Sequence, residues 1–190
     1  MQKVVITGHD LTVDQIIAVC REGAEVVLSD ESREKILASR QVVNELVEER
    51  KVVYGITTGF GKFSDVVISQ DECKLLQKNL IITHAVGAGD PFKEDIARGI
   101  LLLRVNSLSN GFSGICLETV ETMIAMLNKG VTPFIPEKGS LGASGDLAPL
   151  SHMVLPMIGL GMAWYKGELL PGAEAMERAG IPVIELSAKE

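Results

Sequence analysis

From Asp71 to Met162 the chain reads as one apolar-faced helix after another, broken only at short joints bearing glycine, proline or asparagine. No other feature restricts the fold as much, because each such helix must bury its stripe against a neighbour. The first helix is expected over Asp71 to Ala85, ending near Gly87. A second follows Pro91, with Ile96, Ile100 and Leu103, then Leu101, Val105 and Leu108, as its buried face. Asn110-Gly111 stops it. A third covers Ile115 to Asn128, with Val120, Met123, Ile124 and Leu127 inward and Gly130 as the terminating residue. Thr132 to Pro136 is an extended connector. A last helix opens at Asp146, a good N-cap, and runs to about Met162; Pro149 is tolerable there because it falls in the first turn.

Ahead of residue 71 the pattern changes. Val4-Val5-Ile6 and Val26-Val27-Leu28 read as short strands, with a helix between them from about Thr12 to Arg21. Ser29-Asp30-Glu31 opens a long helix to about Arg50, with Ile36, Val43 and Val47 on one face, joined by Val42 and Leu46. Val52-Val53-Tyr54 is extended, and Gly55, Gly59 and Gly61 punctuate a loop. The expected fold is mainly α: a small α/β part over 1–70, then a helical part over 71–190, within one domain. At the far end Ser187 reads as the N-cap of a helix that stops three residues later. A helix that short is not stable alone, so the chain reads as the N-terminal portion of something longer.

Composition narrows the function. Apolar residues make up 46% of the 190 and mean hydropathy is +0.25, which suggests burial against partner subunits. Lys and Arg number 18 against 25 Asp and Glu, a net −7 without a basic cluster. Such a surface suits neither nucleic acid nor an anionic membrane. Cys20, Cys73 and Cys116 are widely spaced and odd in number, with no metal-ligand spacing, so no metal is expected. Free thiols, with no N-terminal signal segment, fit a cytoplasmic protein. The longest apolar stretch, Met153 to Tyr165, is broken by Pro156, Gly159 and Gly161 and falls short of the roughly 20 residues of a membrane span.

The chemistry concentrates in Gly139-Ser140-Leu141-Gly142-Ala143-Ser144-Gly145-Asp146-Leu147-Ala148-Pro149-Leu150. A nucleotide-binding loop would need G-x-G-x-x-G, but the spacing is G-x-x-G-x-x-G. A hydrolase nucleophile elbow would need G-x-S-x-G, and Gly142 to Asp146 misses at its last position. Two readings remain open locally. One is an ordinary turn capping a helix. The other is cyclisation, because crowded small residues let backbone atoms approach closely. The Gly145 nitrogen could then attack the Ala143 carbonyl carbon. Loss of that water, and of the Ser144 hydroxyl as a second water, would leave a methylidene group conjugated to a five-membered ring.

Together with three other segments, this run resembles the aromatic amino-acid ammonia-lyases. Tyr54-Gly55-Ile56-Thr57-Thr58-Gly59-Phe60-Gly61 is similar to the family's catalytic-tyrosine loop. Asn79 to Gly87 is similar to its substrate-selectivity helix, and Asn106 to Gly114 is a further match. The resemblance implies a methylidene-imidazolone cofactor made from Ala143, Ser144 and Gly145, and Tyr54 as the base that removes a β-proton. A phenol ordinarily ionises near about pH 10, so that role requires positive potential or hydrogen bonds to the phenolate. Gly55, Gly59 and Gly61 would let the tyrosine loop close over substrate. Thr83-His84 is similar to the Ser-His pair of the histidine-specific members and differs from the Phe-Leu and His-Leu pairs of the phenylalanine and tyrosine enzymes. The resemblance thus implies elimination of ammonia from L-histidine to give urocanate, by a truncated piece of a long-helix bundle that is a homotetramer at full length and inactive as this piece. The alternatives are a lyase for phenylalanine or tyrosine, an aminomutase, and a non-catalytic helical fragment whose triplet stays an ordinary turn. Among the remaining histidines, His9 reads as solvated and His152 as packed or hydrogen-bonded beside the last helix start.

Overall fold

The structure, a computed structural model, describes residues 2–59, 68–139, 145 and 147–190, with the backbone alone for Gln70 and Asp71. Ala143, Ser144, Asp146 and Gly61, which the sequence singles out, lie outside the described residues.

Strands β1 (Lys3–Ile6) and β2 (Glu25–Leu28) turn Val4, Ile6, Val26 and Leu28 inward and leave Val5 exposed. They pair in parallel, Val4 opposite Val26, so the link between them must cross over, and α1 (Val13–Glu22) makes that crossover. Thr12 and Gln15 form a capping box at its start, and Gly23 at φ +75° ends it. The free edge of β2 is met by a side chain. The Asn128 carboxamide accepts from Val26 N (2.8 Å) and donates to Val26 O (2.9 Å), so it pairs as a strand residue would.

Helix α2 (Asp30–Glu48) is capped by Ser29 and buries Ile36 and Val43. Val42, expected on that face, is 56% exposed. Burying residues 36 and 43, seven apart, turns their neighbour outward. The extended reading of Val52 to Tyr54 is corrected as well. These residues join no ladder among the described residues, and Tyr54 opens a turn. Helix α3 (Gln70–His84) starts at Ser69, whose capping box with Glu72 satisfies the first turn.

Helices α4 (Glu94–Leu108) and α5 (Leu117–Lys129) pack together, with Leu101, Leu102, Val105 and Leu108 meeting Val120, Met123, Met126 and Leu127. Ile96 and Leu103 are 45% and 50% exposed, against expectation. They share a stripe on the side of α4 away from Leu101 and Val105, and only one side of the helix faces the core. Gly130 at φ +76° terminates α5 as expected. The main core joins Val4, Val26 and Ile36 to the α4–α5 pair and to Met153, Met157 and Met176, so it spans both sides of residue 70. A smaller cluster gathers Val43, Ile56, Cys73 and Ala188.

The connector after Gly130 forms β4 (Thr132–Pro133) and β5 (Pro136–Lys138), and β5 pairs antiparallel with β3 (Ala88–Pro91). Helix α6 (Leu147–Val154) carries Pro149 in its first turn. The long final helix expected to Met162 is overturned. After α6 comes a 3₁₀ turn over Leu155–Ile158, because Pro156 has no N–H to donate, and Gly159 at φ +74° then ends helical structure. A hairpin follows, β6 (Met162–Tyr165) and β7 (Glu168–Pro171), joined by Lys166 and Gly167 at φ +50° and +81° and leading to α7 (Gly172–Arg178). The expectation of a mainly helical fold with a small α/β N-terminal part holds. No helix among the described residues is long and apolar enough to cross a membrane.

Candidate active site

Two elements converge on the loop that carries the triplet. β5 ends at Lys138, which pairs with Ala88, and Gly139 follows. A methyl at Gly139 would stand 3.0 Å from Pro149 Cδ and 3.2 Å from Ala148 Cβ, so the backbone there lies directly on the first turn of α6. At the other end, Leu147 N donates to Gly145 O at 3.1 Å. Gly139 and Gly145 therefore both lie against the first turn of α6. Gly145 adopts φ +90°, a conformation that side-chain-bearing residues rarely take, and no described residue comes within 4 Å of where its Cβ would be.

Helix α3 packs on α6, and just beyond its end Gly87 N donates to His152 Nε2 at 2.9 Å. This is the hydrogen bond expected of His152. Burial holds its imidazole below the usual histidine pKa, in keeping with an acceptor nitrogen. His84, half-buried at the last position of α3, places Nδ1 2.7 Å from Leu80 O. A carbonyl can only accept, so Nδ1 carries the hydrogen and Nε2 keeps its lone pair when the ring is neutral. Thr83 Oγ1 donates to the same carbonyl at 2.9 Å. The Thr83-His84 pair is thus folded back on its own helix, and the His84 bond leaves Nε2 as the ring's acceptor.

Tyr54 stands elsewhere. It is 60% exposed at the head of a turn that is pinned from beneath. Ile56 N and Thr57 N donate to Val53 O, Val53 N donates to Thr57 Oγ1 at 2.9 Å, and the Thr57 hydroxyl donates to Lys51 O. Gly55 takes φ +71°, and the Gly59 carbonyl accepts from the Thr58 hydroxyl. The turn is anchored on α3 by Cys73 Sγ, 3.4 Å from Ile56 O. Cys73 and His84 are eleven residues apart on one helix, about 16 Å along its axis. Within this chain His84 closes α3, and the Tyr54 turn is anchored near the start of the same helix.

Sequence reasoning missed Arg40 and Glu190. Arg40 donates to Gly114 O, Ala188 O, Ser187 Oγ and Asn44 Oδ1, beside an 890 Å³ cavity it helps to line. Glu190 accepts from Ser187 N and Cys116 N and from the hydroxyls of Ser187 and Thr119. A carboxylate thus sits at the start of α5, where Cys116 offers no capping side chain. Only the Ser-x-x-Glu spacing signalled it. The three cysteines are free, and burial pushes each thiol above its usual pKa, away from nucleophilic character. Among the described residues no group of His, Cys, Asp and Glu could hold a metal ion.

The family profile described as aromatic amino acid lyase matches residues 11–190. A histidine ammonia-lyase of Caldanaerobacter subterraneus subsp. tengcongensis is 62% identical over all 190 residues, which span 37% of that protein's length. Among solved structures, histidine ammonia-lyase from Trypanosoma cruzi superposes with a TM-score of 0.93 at 39% identity, over 100% of this chain and 37% of that one. A Pantoea agglomerans phenylalanine aminomutase superposes at 0.90 with 36% identity, over 100% of this chain and 36% of that one.

Proposed function

We propose, on the premise that the chain belongs to the aromatic amino acid lyase family, that it serves an ammonia-lyase converting L-histidine to urocanate and ammonia. The observation that carries this reading is the loop pinned at Gly139 and Gly145 on one turn of α6, with Gly145 at φ +90°. A glycine in that conformation fits the position whose nitrogen must enter a ring. Ala143, Ser144 and Gly145 would hold the methylidene-imidazolone, which supplies an electrophile that makes a substrate amino group able to leave.

The chain's own side chains do the rest. His84, with Nδ1–H committed to Leu80 O, offers Nε2 as acceptor to the N–H of an imidazole ring. That favours histidine over phenylalanine, which has no such donor. Tyr54 takes the β-proton at its phenolic oxygen, and Gly55, Gly59 and Gly61 let its loop close and exclude water. The N-terminus of α6 carries the positive end of the helix dipole, which favours negative charge developing beside the triplet. Because the Tyr54 turn is anchored near the start of α3 and His84 closes that helix about 16 Å further along, a complete site draws on more than one subunit. The protein acts on a free amino acid in the cytoplasm as a homo-oligomer, a tetramer at full length, and the 190-residue chain alone is inactive.

Intact mass tests the central step. A chain that has cyclised weighs two waters less than its sequence, and Ser144→Ala, which lacks the second leaving group, loses at most one. A full-length protein of unaltered mass would overturn the cofactor assignment.

A further inference from the structure

We propose that His152 is a positioning residue that keeps the Thr83–His84 end of α3 in register with α6; its link to substrate choice rests on the ammonia-lyase reading above. Gly87 N donates to His152 Nε2 at 2.9 Å across 65 residues of sequence. Gly87 lies three residues beyond His84, and the packing leaves no room there for a side chain: a methyl would stand 3.0 Å from Nε2 and 3.1 Å from Pro136 Cβ. The corner thus sits close against both the imidazole and the β5 proline.

Little else holds it. The chain leaves α3 at Ala85, and its next ties to the body are the β3–β5 rungs at Ala88 and Pro91, between which the register shifts. Pro91 has no N–H to contribute. Phe92 N reaches Ile135 O only beyond that strand. Alongside the packing of α3 on α6, the His152 bond therefore tethers the residues that follow the last turn of α3, and through them His84. The geometry also fixes the tautomer, because a ring nitrogen that accepts from an N–H must be bare, so Nδ1 holds the hydrogen. With Nε2 committed to Gly87, His152 acts through His84 rather than on substrate.

The test compares His152→Leu, which cannot accept, with His152→Gln, whose carboxamide oxygen can. In the 190-residue chain, amide exchange at Gly87 is expected to quicken roughly tenfold in the leucine variant, with the Thr83 and His84 resonances displaced. The glutamine variant should restore most of both. In the full-length lyase, His152→Leu should raise KM for histidine about three- to tenfold while kcat stays within about twofold, and His152→Gln should recover KM. Unchanged Gly87 exchange, or unchanged KM, overturns the proposal. The exchange arm stands even for a protein without turnover, whereas wild-type enzyme that makes no urocanate sinks the lyase reading by itself.

Discussion

His84 and Tyr54 make separable demands on the chemistry, and mutation distinguishes them. In the proposed site His84 would meet substrate with a single acceptor nitrogen, since its other nitrogen is spent on Leu80 O. Losing that acceptor while an imidazole N–H stays buried costs about 1–3 kcal/mol. In the full-length lyase, His84→Leu is expected to lower kcat/KM for histidine by roughly one to two orders of magnitude, and phenylalanine turnover should fall less or rise. Tyr54→Phe should suppress both substrates alike, because β-proton removal is common to them. Urocanate and cinnamate absorbance, followed side by side, read the outcome; equal loss on both substrates for His84→Leu would remove its selectivity role. His152 makes a second prediction at this scale, concerning pH. Burial depresses its folded-state pKa below the unfolded value of about 6.5. Above that value both states are neutral and the bond to Gly87 contributes fully. As pH falls below it the unfolded chain takes up a proton first, so stability declines toward the folded pKa. The urea midpoint should therefore drop between pH 7.5 and 5.5, and less steeply in His152→Gln.

At the scale of elements, caps and breakers decide the boundaries. Ser69 accepts from Glu72 N, and the Glu72 carboxylate returns to Ser69 N at 2.9 Å, so one serine satisfies the start of the helix that anchors the Tyr54 turn and ends at His84. Ser69→Ala is expected to cost about 1 kcal/mol, seen as a fall of roughly 2–4 °C in melting temperature for a chain of this size. An unchanged melt would mean that packing alone holds the first turn. Where the sequence reading failed at this scale, the cause is local. The helix after Asp146 was carried too far because Met153 to Tyr165 is uniformly apolar, and period alone cannot divide such a run. Two signals were present for the hairpin: Pro156 and Gly159 as breakers, and Lys166-Gly167 as a two-residue turn with positive φ at both positions.

For the molecule as a whole, the exposed apolar side chains are the telling feature. Ile96 and Leu103 on α4, Leu75 and Ile82 on α3, Val86 beyond it and Phe112 at 91% exposure all face outward. Apolar area of this extent favours association. The 190-residue chain is expected to self-associate in sedimentation velocity, and the double change Ile96→Lys with Leu103→Lys should shift the distribution toward monomer. A wild-type chain that stays monomeric at high concentration would show that these side chains are only scattered surface residues.

What the sequence determined by itself is whatever depends on near neighbours. Thr12, Ser29 and Gly130 set helix ends through their own hydrogen bonds or φ angles. The parallel β1–β2 unit was legible because valine-rich runs flank one amphipathic helix, and the triplet was legible because its chemistry lies in three consecutive residues. Tertiary structure alone decided which face each helix buries. Ile96 and Leu101 are equally apolar, and only the position of α5 chooses between them. It also decided the long-range partners: Asn128 on Val26, Arg40 on Ala188, His152 on Gly87. Such bonds join residues 65 or more apart, and no local pattern encodes them, because a side chain's donor or acceptor acquires a partner only once the chain has folded.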